Sequence, residues 1–415
     1  MKNKKTEVIA MTLNNKWMRA AVPALLIHCS IGTVYCWSTF KQSIADAIGM
    51  SPFAVGWAFS FAIFFLGMSA AFAGKIVELN IHRSSLISAI CFTAGMLGTG
   101  LTIKFCSGVP ALLLIYLFYG CIMGIGLGIG YLTPVKTLML WFKDNKGLAT
   151  GISIMGFGLA KAIATPIMEF LQKQWGITAM FMTLGCIYFV MIFTGHLLLK
   201  KPDGWVESKT TNSSFKSLSM FKNRTFIGIW LIFYINIHCG LMLITYEKQF
   251  ITTKFGNASA DTLAMLISVI PSITAICNAL GRIGYSTISD KMKDRSSVYI
   301  IIFCTSIAAC TIMLLGKRSV FVIPLLMIVN LGYGGGFSTL PALLDSRFGM
   351  ENISKIHGLA LSAWAVAGLT GNNLSELLLK HFNDYNVIVC VANVMYSVSL
   401  LICLRMVKLR KTTSN

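Results

Sequence analysis

Apolar residues run through this chain in blocks of about twenty, each closed by a short polar stretch. A helix of that length crosses the roughly 30 Å hydrocarbon core of a bilayer. Twelve such spans are predicted, near 17–40, 53–73, 84–103, 110–135, 148–171, 177–199, 225–246, 262–284, 297–316, 319–344, 357–379 and 385–406. A spanning helix satisfies its own backbone hydrogen bonds where no water is present, so the expected fold class is an all-α membrane protein. The longest polar connector, residues 200–224, separates two sets of six spans. The expected layout is therefore a tail at 1–16, a six-helix bundle at 17–199, a linker at 200–224, a second bundle at 225–406 and a tail at 407–415. Pro, Gly, Ser and Thr in the linker suit a flexible connection, with a short amphipathic helix around Phe215 to Phe221.

The two sets of spans echo each other. Span two is followed by GKIVELNIHR (Gly74 to Arg83) and span eight by STISDKMKDR (Ser286 to Arg295). Each carries an acid at its fifth position and a base at its tenth: Glu78 with Arg83, and Asp290 with Arg295. Span four ends in Gly-Tyr-Leu-Thr-Pro (Gly130 to Pro134), and span ten contains Ser-Thr-Leu-Pro (Ser338 to Pro341). Spans five and eleven both open with Gly-Leu-Ala, at Gly147 and Gly358, and His28–Cys29 is matched by His238–Cys239. The shared order, at offsets of about 207–212 residues, points to two pseudo-symmetric six-helix bundles. Sites in such repeats lie near the bilayer midplane between the halves.

Composition strengthens the membrane reading. Of 415 residues 55% are hydrophobic and 12% charged, with mean hydropathy +0.72. Net charge +20 would suggest nucleic acid in a soluble chain. Here roughly 25 Lys and Arg fall on the side of the termini and about 8 on the other, the bias that places both termini in the cytoplasm. No nucleic-acid partner is expected. The first span is too long for a secretory leader and lacks a small-residue cleavage site. The twelve cysteines lie almost wholly within spans and read as packing residues, not as a disulfide or metal framework. Neither a Walker loop nor a metal-spaced His/Cys set is present in the sequence, so no cofactor is expected and ATP-driven transport has no support.

Two cations sit inside spans, Lys161 and Arg282. A charge at mid-bilayer costs about 2.5–3.5 kcal/mol even on insertion scales. No acid lies at matching depth near either by sequence, which makes a small organic anion the expected partner. Arg282 lies eight residues before Asp290, about 12 Å inside, and its guanidinium fork matches a carboxylate. The alternative is a gating pair with Asp290 or Asp345. Lys161 lies about 21 Å into span five from Gly147, its alternative being a pair with Glu247 or Glu376. Proton coupling would need a titratable group, for which Lys161 with a lowered pKa, or Glu169, is the candidate. Tyr35, Trp37, Tyr131 and Trp364 offer aromatic surface with polar tips, although packing alone accounts for such residues. Asn278 reads first as an interhelical hydrogen-bonding residue and second as a substrate contact, and His28 and His238 as packing residues before proton relays.

The acid-and-base loops after spans two and eight resemble the signature loop of the major facilitator superfamily. Further matches are Gly-Thr-Val-Tyr-Cys-Trp-Ser (Gly32 to Ser38), GIGLGIGYLTPVKTLMLWFKDNKGLATG (Gly124 to Gly151), NALGRIGYSTISDK (Asn278 to Lys291), GYGGGFSTLPALL (Gly332 to Leu344) and HGLALSAWAVAGLTGN (His357 to Asn372). Together these resemble the oxalate/formate antiporter family over essentially the whole chain. The resemblance implies twelve helices in two bundles, alternating access, small carboxylates as cargo and aromatic walls around them. It implies gating roles for Glu78, Arg83, Asp290 and Arg295, and a substrate role for Arg282. In that family a lysine on span eleven joins the arginine of span eight; here that place falls on or beside Trp364, and the interior of span eleven holds no lysine. Lys161, on the repeat partner of span eleven, is expected to supply the second cation. The expected protein is a monomeric secondary transporter of a mono- or dicarboxylate in a bacterial inner membrane, not an enzyme. The alternatives are a non-transporting sensor on the same fold and an exporter of another small solute.

Overall fold

The structure, a computed structural model, describes residues 15–204, 217–316 and 318–408. The described residues are helical almost throughout and contain no strand. Ten helices are long and apolar enough to cross a membrane. One of them, Lys146–Leu198, has 53 residues, about 80 Å at 1.5 Å per residue, and divides at Gly176, where φ is 82° and ψ 169°. That backbone conformation is open to glycine and strained for other residues, so the chain turns there and recrosses. A further helix, Ile353–Phe382, is 30 residues long but more polar.

Among the described residues twelve membrane helices result: α1 Trp17–Ile48, α2 Pro52–Leu79, α3 Ile81–Phe105, α4 Gly108–Trp141, α5 146–175, α6 177–198, α7 Arg224–Ile244, α8 Ala260–Lys291, α9 Ser297–Leu315, α10 Ser319–Phe348, α11 Ile353–Phe382 and α12 Tyr385–Val407. The face at which α6 ends and α7 begins is called the linker face below. Of the amphipathic helix expected around residues 215–221, Ser217–Lys222 forms a short 3₁₀ segment; positions 215 and 216 lie outside the described residues. The tails at 1–14 and 409–415 also lie outside them. A short helix, Glu247–Lys254, follows α7 on the far face.

Burial divides each helix by side. Phe72, Phe105, Leu113, Phe170 and Leu315 stand exposed, as lipid contact requires, while Phe40, Phe92, Phe157, Phe181 and Phe233 are fully enclosed. Helix starts are capped by side chains at Ser51, Asn80, Asn223, Ser259 and Asp384, which satisfy backbone N–H groups left over at the first turn. Helix α1 tightens into a 3₁₀ turn at Gly32–Cys36. Helices α4, α5, α8 and α10 each carry an internal proline, at Pro134, Pro166, Pro271 and Pro341. Such irregular backbone is tolerated in a membrane where protein or a cavity surrounds it.

The halves meet along two seams, α2 against α11 and α5 against α8. Each depends on a glycine of the repeated Gly-Leu-Ala. A Cβ at Gly147 would overlap the Ser286 carbonyl oxygen of α8, and one at Gly358 would overlap the Ala70 carbonyl oxygen of α2. Small residues at these crossings let the backbones approach closely, which provides contact where lipid supplies no hydrophobic drive. Gly147→Leu and Gly358→Leu are each expected to destabilise the closed linker face by about 1–3 kcal/mol, the range for overpacking a fitted interior. A cysteine placed at buried Ser354 should then react faster with a water-soluble thiol reagent in the Gly358→Leu protein.

Candidate functional site

The linker face is closed by two crossed contacts of the same design. Glu78, at the end of α2, accepts a hydrogen bond at 2.7 Å from the Ser354 backbone N–H at the start of α11. Asp290, at the end of α8, accepts from the Gly147 and Leu148 N–H groups at the start of α5, at 2.9 and 2.8 Å. Each loop acid thus reaches the first turn of a helix in the other half, where free N–H groups and the helix dipole favour negative charge. Lys146 adds a hydrogen-bonded ion pair to Asp345 across the seam at 2.7 Å.

The cations that complete the contacts differ between halves. Asp290 pairs with Arg295 at 2.7 Å. Glu78 pairs with Lys136 from α4, both side chains only 4% exposed, while Arg83 is exposed. Lys136 lies one residue beyond the predicted end of span four, where a lysine reads as ordinary positive-inside charge. Asp290 and Asp345, the two acids considered for Arg282, are engaged here by other groups.

Further into the protein lies Arg282, 1% exposed. Its Nε donates to Asn278 Oδ1 one turn away at 2.8 Å, and Nη1 donates across the seam to the Ile154 carbonyl at 3.1 Å. The guanidinium carbon stands 5.4 Å from the Phe337 ring centre and 5.8 Å from that of Phe157. Gly158 makes room for the group, since a Cβ there would come within 2.9 Å of Nε. No carboxylate among the described residues forms an ion pair with Arg282. Its surroundings are neutral dipoles and ring faces. Those partners stabilise the cation but leave its charge unbalanced.

Aromatic side chains close around this cation. Trp364 is fully buried, 4.5 Å from Phe337, 5.6 Å from Tyr131 and 5.8 Å from Phe157 between ring centres. The Trp364 Nε1 and Tyr131 hydroxyl are buried without a hydrogen-bond partner. Tyr35 from α1 and Tyr333 from α10 join hydroxyls at 2.9 Å, bridging the halves, and the Tyr35 hydroxyl also interacts with Arg282. His28 Nδ1 lies 2.6 Å from the Ser153 carbonyl and 2.9 Å from its hydroxyl, and Nε2 lies 3.2 Å from the Tyr131 carbonyl, so the ring holds α1 against α5 and α4.

Beyond the tyrosine pair a cavity opens toward the far face. An inner chamber of about 140 Å³ is lined by Tyr35, Trp37, Lys161, Glu247, Asn278 and Tyr333, among others. It leads to an outer chamber of about 420 Å³ bordered by Lys41, Trp57, Glu247, Lys248 and Glu376. Of the residues singled out in the sequence, Tyr35, Trp37, Lys161 and Asn278 line the inner chamber. Arg282, Tyr131 and Trp364 are packed beneath it, outside its lining. Lys161 is half-buried, shares both chambers with Glu247 and forms no ion pair with Glu247 or Glu376. Sequence reasoning passed over Thr274 and Asn330 in the wall, and treated Glu247 only as a neighbour for Lys161. Its signal was faint: one acid directly after an apolar span.

The Glu78–Lys136 contact supplies a direct test. Glu78→Gln keeps an acceptor for Ser354 but leaves Lys136 buried beside a neutral amide. Thermal unfolding in detergent should fall as for a broken buried pair, about 3–5 kcal/mol. The double variant Glu78→Gln/Lys136→Met should recover much of that loss, because it removes the buried cation together with its acid. Equal losses in the single and double variants would remove the pairing from the account.

Known proteins agree with this architecture. The family model described as Major Facilitator Superfamily matches residues 24–372. The chain is 25% identical over 389 residues to the oxalate:formate antiporter of Oxalobacter formigenes, covering 92% of this chain and 89% of that one. It is 24% identical to the uncharacterized MFS-type transporter YhjX of Escherichia coli K12, over 85% and 86% of the two chains. In fold it is similar to the crystal structure of the transporter FucP in the outward conformation, with TM-score 0.68 at 14% identity over 94% of this chain and 98% of that one. With its twelve helices, crossed loop contacts and full-length relatives, this chain belongs to the Major Facilitator Superfamily and is a multi-pass membrane transporter.

Proposed function

We propose that the protein carries a small organic anion, a mono- or dicarboxylate, across the cytoplasmic membrane by alternating access. The observation that carries this reading is Arg282: a fully buried guanidinium at the seam between the halves, held by neutral partners alone. A buried charge left unbalanced is costly, and a carboxylate can balance it with two parallel hydrogen bonds. The similarity to an oxalate:formate antiporter supports the same class of cargo. By the positive-inside bias the linker face is cytoplasmic, so the cavity faces outward in this structure.

An incoming anion meets Lys161 and Asn278 in the inner chamber before it reaches Arg282. The Tyr35–Tyr333 hydroxyl bridge covers that last step and must part as the anion settles. Occupancy balances the guanidinium and favours rearrangement of the two seams. The empty carrier, still holding an unbalanced cation, gains less from closing around its site. That logic suits exchange, in which each half-cycle needs a loaded site.

The test is a thermal-stability screen of purified protein against formate, lactate, pyruvate, oxalate, malonate and succinate, since a ligand that binds the folded state raises its stability. Arg282→Gln should be at least as stable as the natural protein when unloaded. Its affinity for the stabilising anion should drop at least about tenfold, because hydrogen bonds to charged groups contribute about 1.5–3 kcal/mol. An anion-dependent shift undiminished in Arg282→Gln would take the guanidinium out of the site.

A further inference from the structure

The inner chamber contains a second group that the anion reading leaves unused. Glu247, the first residue of the short helix after α7, lies outside the apolar span and is 4% exposed. Its Oε1 accepts a hydrogen bond of 2.6 Å from the Thr274 hydroxyl of α8. No cation among the described residues forms an ion pair with it. The short helix packs on α8 and α10, which present Thr274 and Asn330 to the chamber and no charged group. Lys161 of α5 acts on the carboxyl from across the chamber, Lys248 acts from the next position, and Glu376 and Lys41 lie further out in the vestibule.

Two opposed influences therefore set its charge. Burial pushes the Glu247 carboxyl above the usual carboxylate range, while Thr274, Lys161 and Lys248 hold it down. An anion arriving beside Lys161 cancels part of that cationic hold and adds a negative charge of its own. Both changes favour the protonated carboxyl. Reciprocity then requires that a protonated Glu247 favour the anion.

We propose that Glu247 is a proton-binding residue of the carrier, taking one proton from water in the vestibule as an anion settles beside Lys161. The proton goes from hydronium to a carboxylate oxygen, no other bond changes, and it returns to water when the anion leaves. One proton then accompanies each anion, which makes the step electroneutral for a monocarboxylate. The proposal deepens the anion-carrier reading and rests on it.

Infrared difference spectra of the full-length protein, taken as pH is lowered, should show a protonated-carboxyl band that Glu247→Gln lacks. Formate, pyruvate or oxalate, whichever stabilises the protein, should move the midpoint of that band upward by about one pH unit, the scale of a neighbouring charge. Thr274→Val, which removes the hydroxyl donor, should move it upward without any anion. In the same protein the anion-induced stability gain should grow as pH falls. In Glu247→Gln that dependence on pH should disappear. A natural protein whose stability ignores all of these anions sinks the cargo reading. A Glu247→Gln protein that keeps both the band and the acid-enhanced anion effect overturns the assignment of Glu247 while leaving the cargo reading in place.

Discussion

A guanidinium enclosed between two helix bundles constrains everything near it. Arg282 can occupy its place because Gly158 leaves space, Asn278 and the Ile154 carbonyl accept its N–H groups, and Phe157 and Phe337 turn ring faces toward it. These are weak compensations for a full charge in a low-dielectric setting. The residues around it are arranged accordingly: tyrosine hydroxyls on the cavity side, a tryptophan wall behind, and the two loop carboxylates kept at the linker face by contacts of their own. Had Asp290 or Asp345 reached Arg282, the cation would be balanced by a carboxylate of the protein itself. Their engagement with helix N-termini and other cations leaves Arg282 among neutral partners.

Charge is distributed along the axis between the halves in distinct levels. At the linker face Glu78, Asp290 and Asp345 each have a protein partner, and these contacts cross from one half to the other. At the middle stands Arg282, with no carboxylate partner among the described residues. Toward the far face the groups are mixed in sign, with Lys161 and Glu247 in one chamber but not in contact. A closed, paired face and an open, unpaired one describe a single state of a two-state device. Switching exchanges contacts of one kind for contacts of another, so the seams must be close enough to seal and free enough to part. Glycine at the α5 and α11 crossings suits both demands.

Much of the architecture was written in local sequence. Apolar run length set the helices, and the repeated Gly-Leu-Ala and acid-and-base loops marked equivalent positions before any coordinates. The break at Gly176 falls between the predicted spans 148–171 and 177–199, and the more polar eleventh helix covers the predicted span 357–379. The site was less legible, since burial and pairing are properties of helices meeting across the midplane. Arg282 announced itself as a charge in an apolar run. Lys136 did not, because a lysine at a helix end is ordinary, and only the approach of α2 to α4 places Glu78 beside it. Trp364 and Tyr131 were recognisable as aromatic residues, but nothing in their spacing tells whether they line a cavity or floor it. Glu247 depended on α8 bringing Thr274 alongside.

Half of each cross-bundle clasp at the linker face is made of main chain: the amides of Ser354, Gly147 and Leu148 serve as its positive pole. Main-chain donors are supplied by nearly every amino acid, so Ser354 and Leu148 can exchange side-chain chemistry provided the helix start keeps its geometry, whereas Gly147 is held to glycine by the Ser286 carbonyl oxygen. Proline is the exception, having no N–H to offer. Genetic drift at the clasp is thus channelled: its acids carry the identity of the contact, while opposite them the requirement is for shape and an available amide.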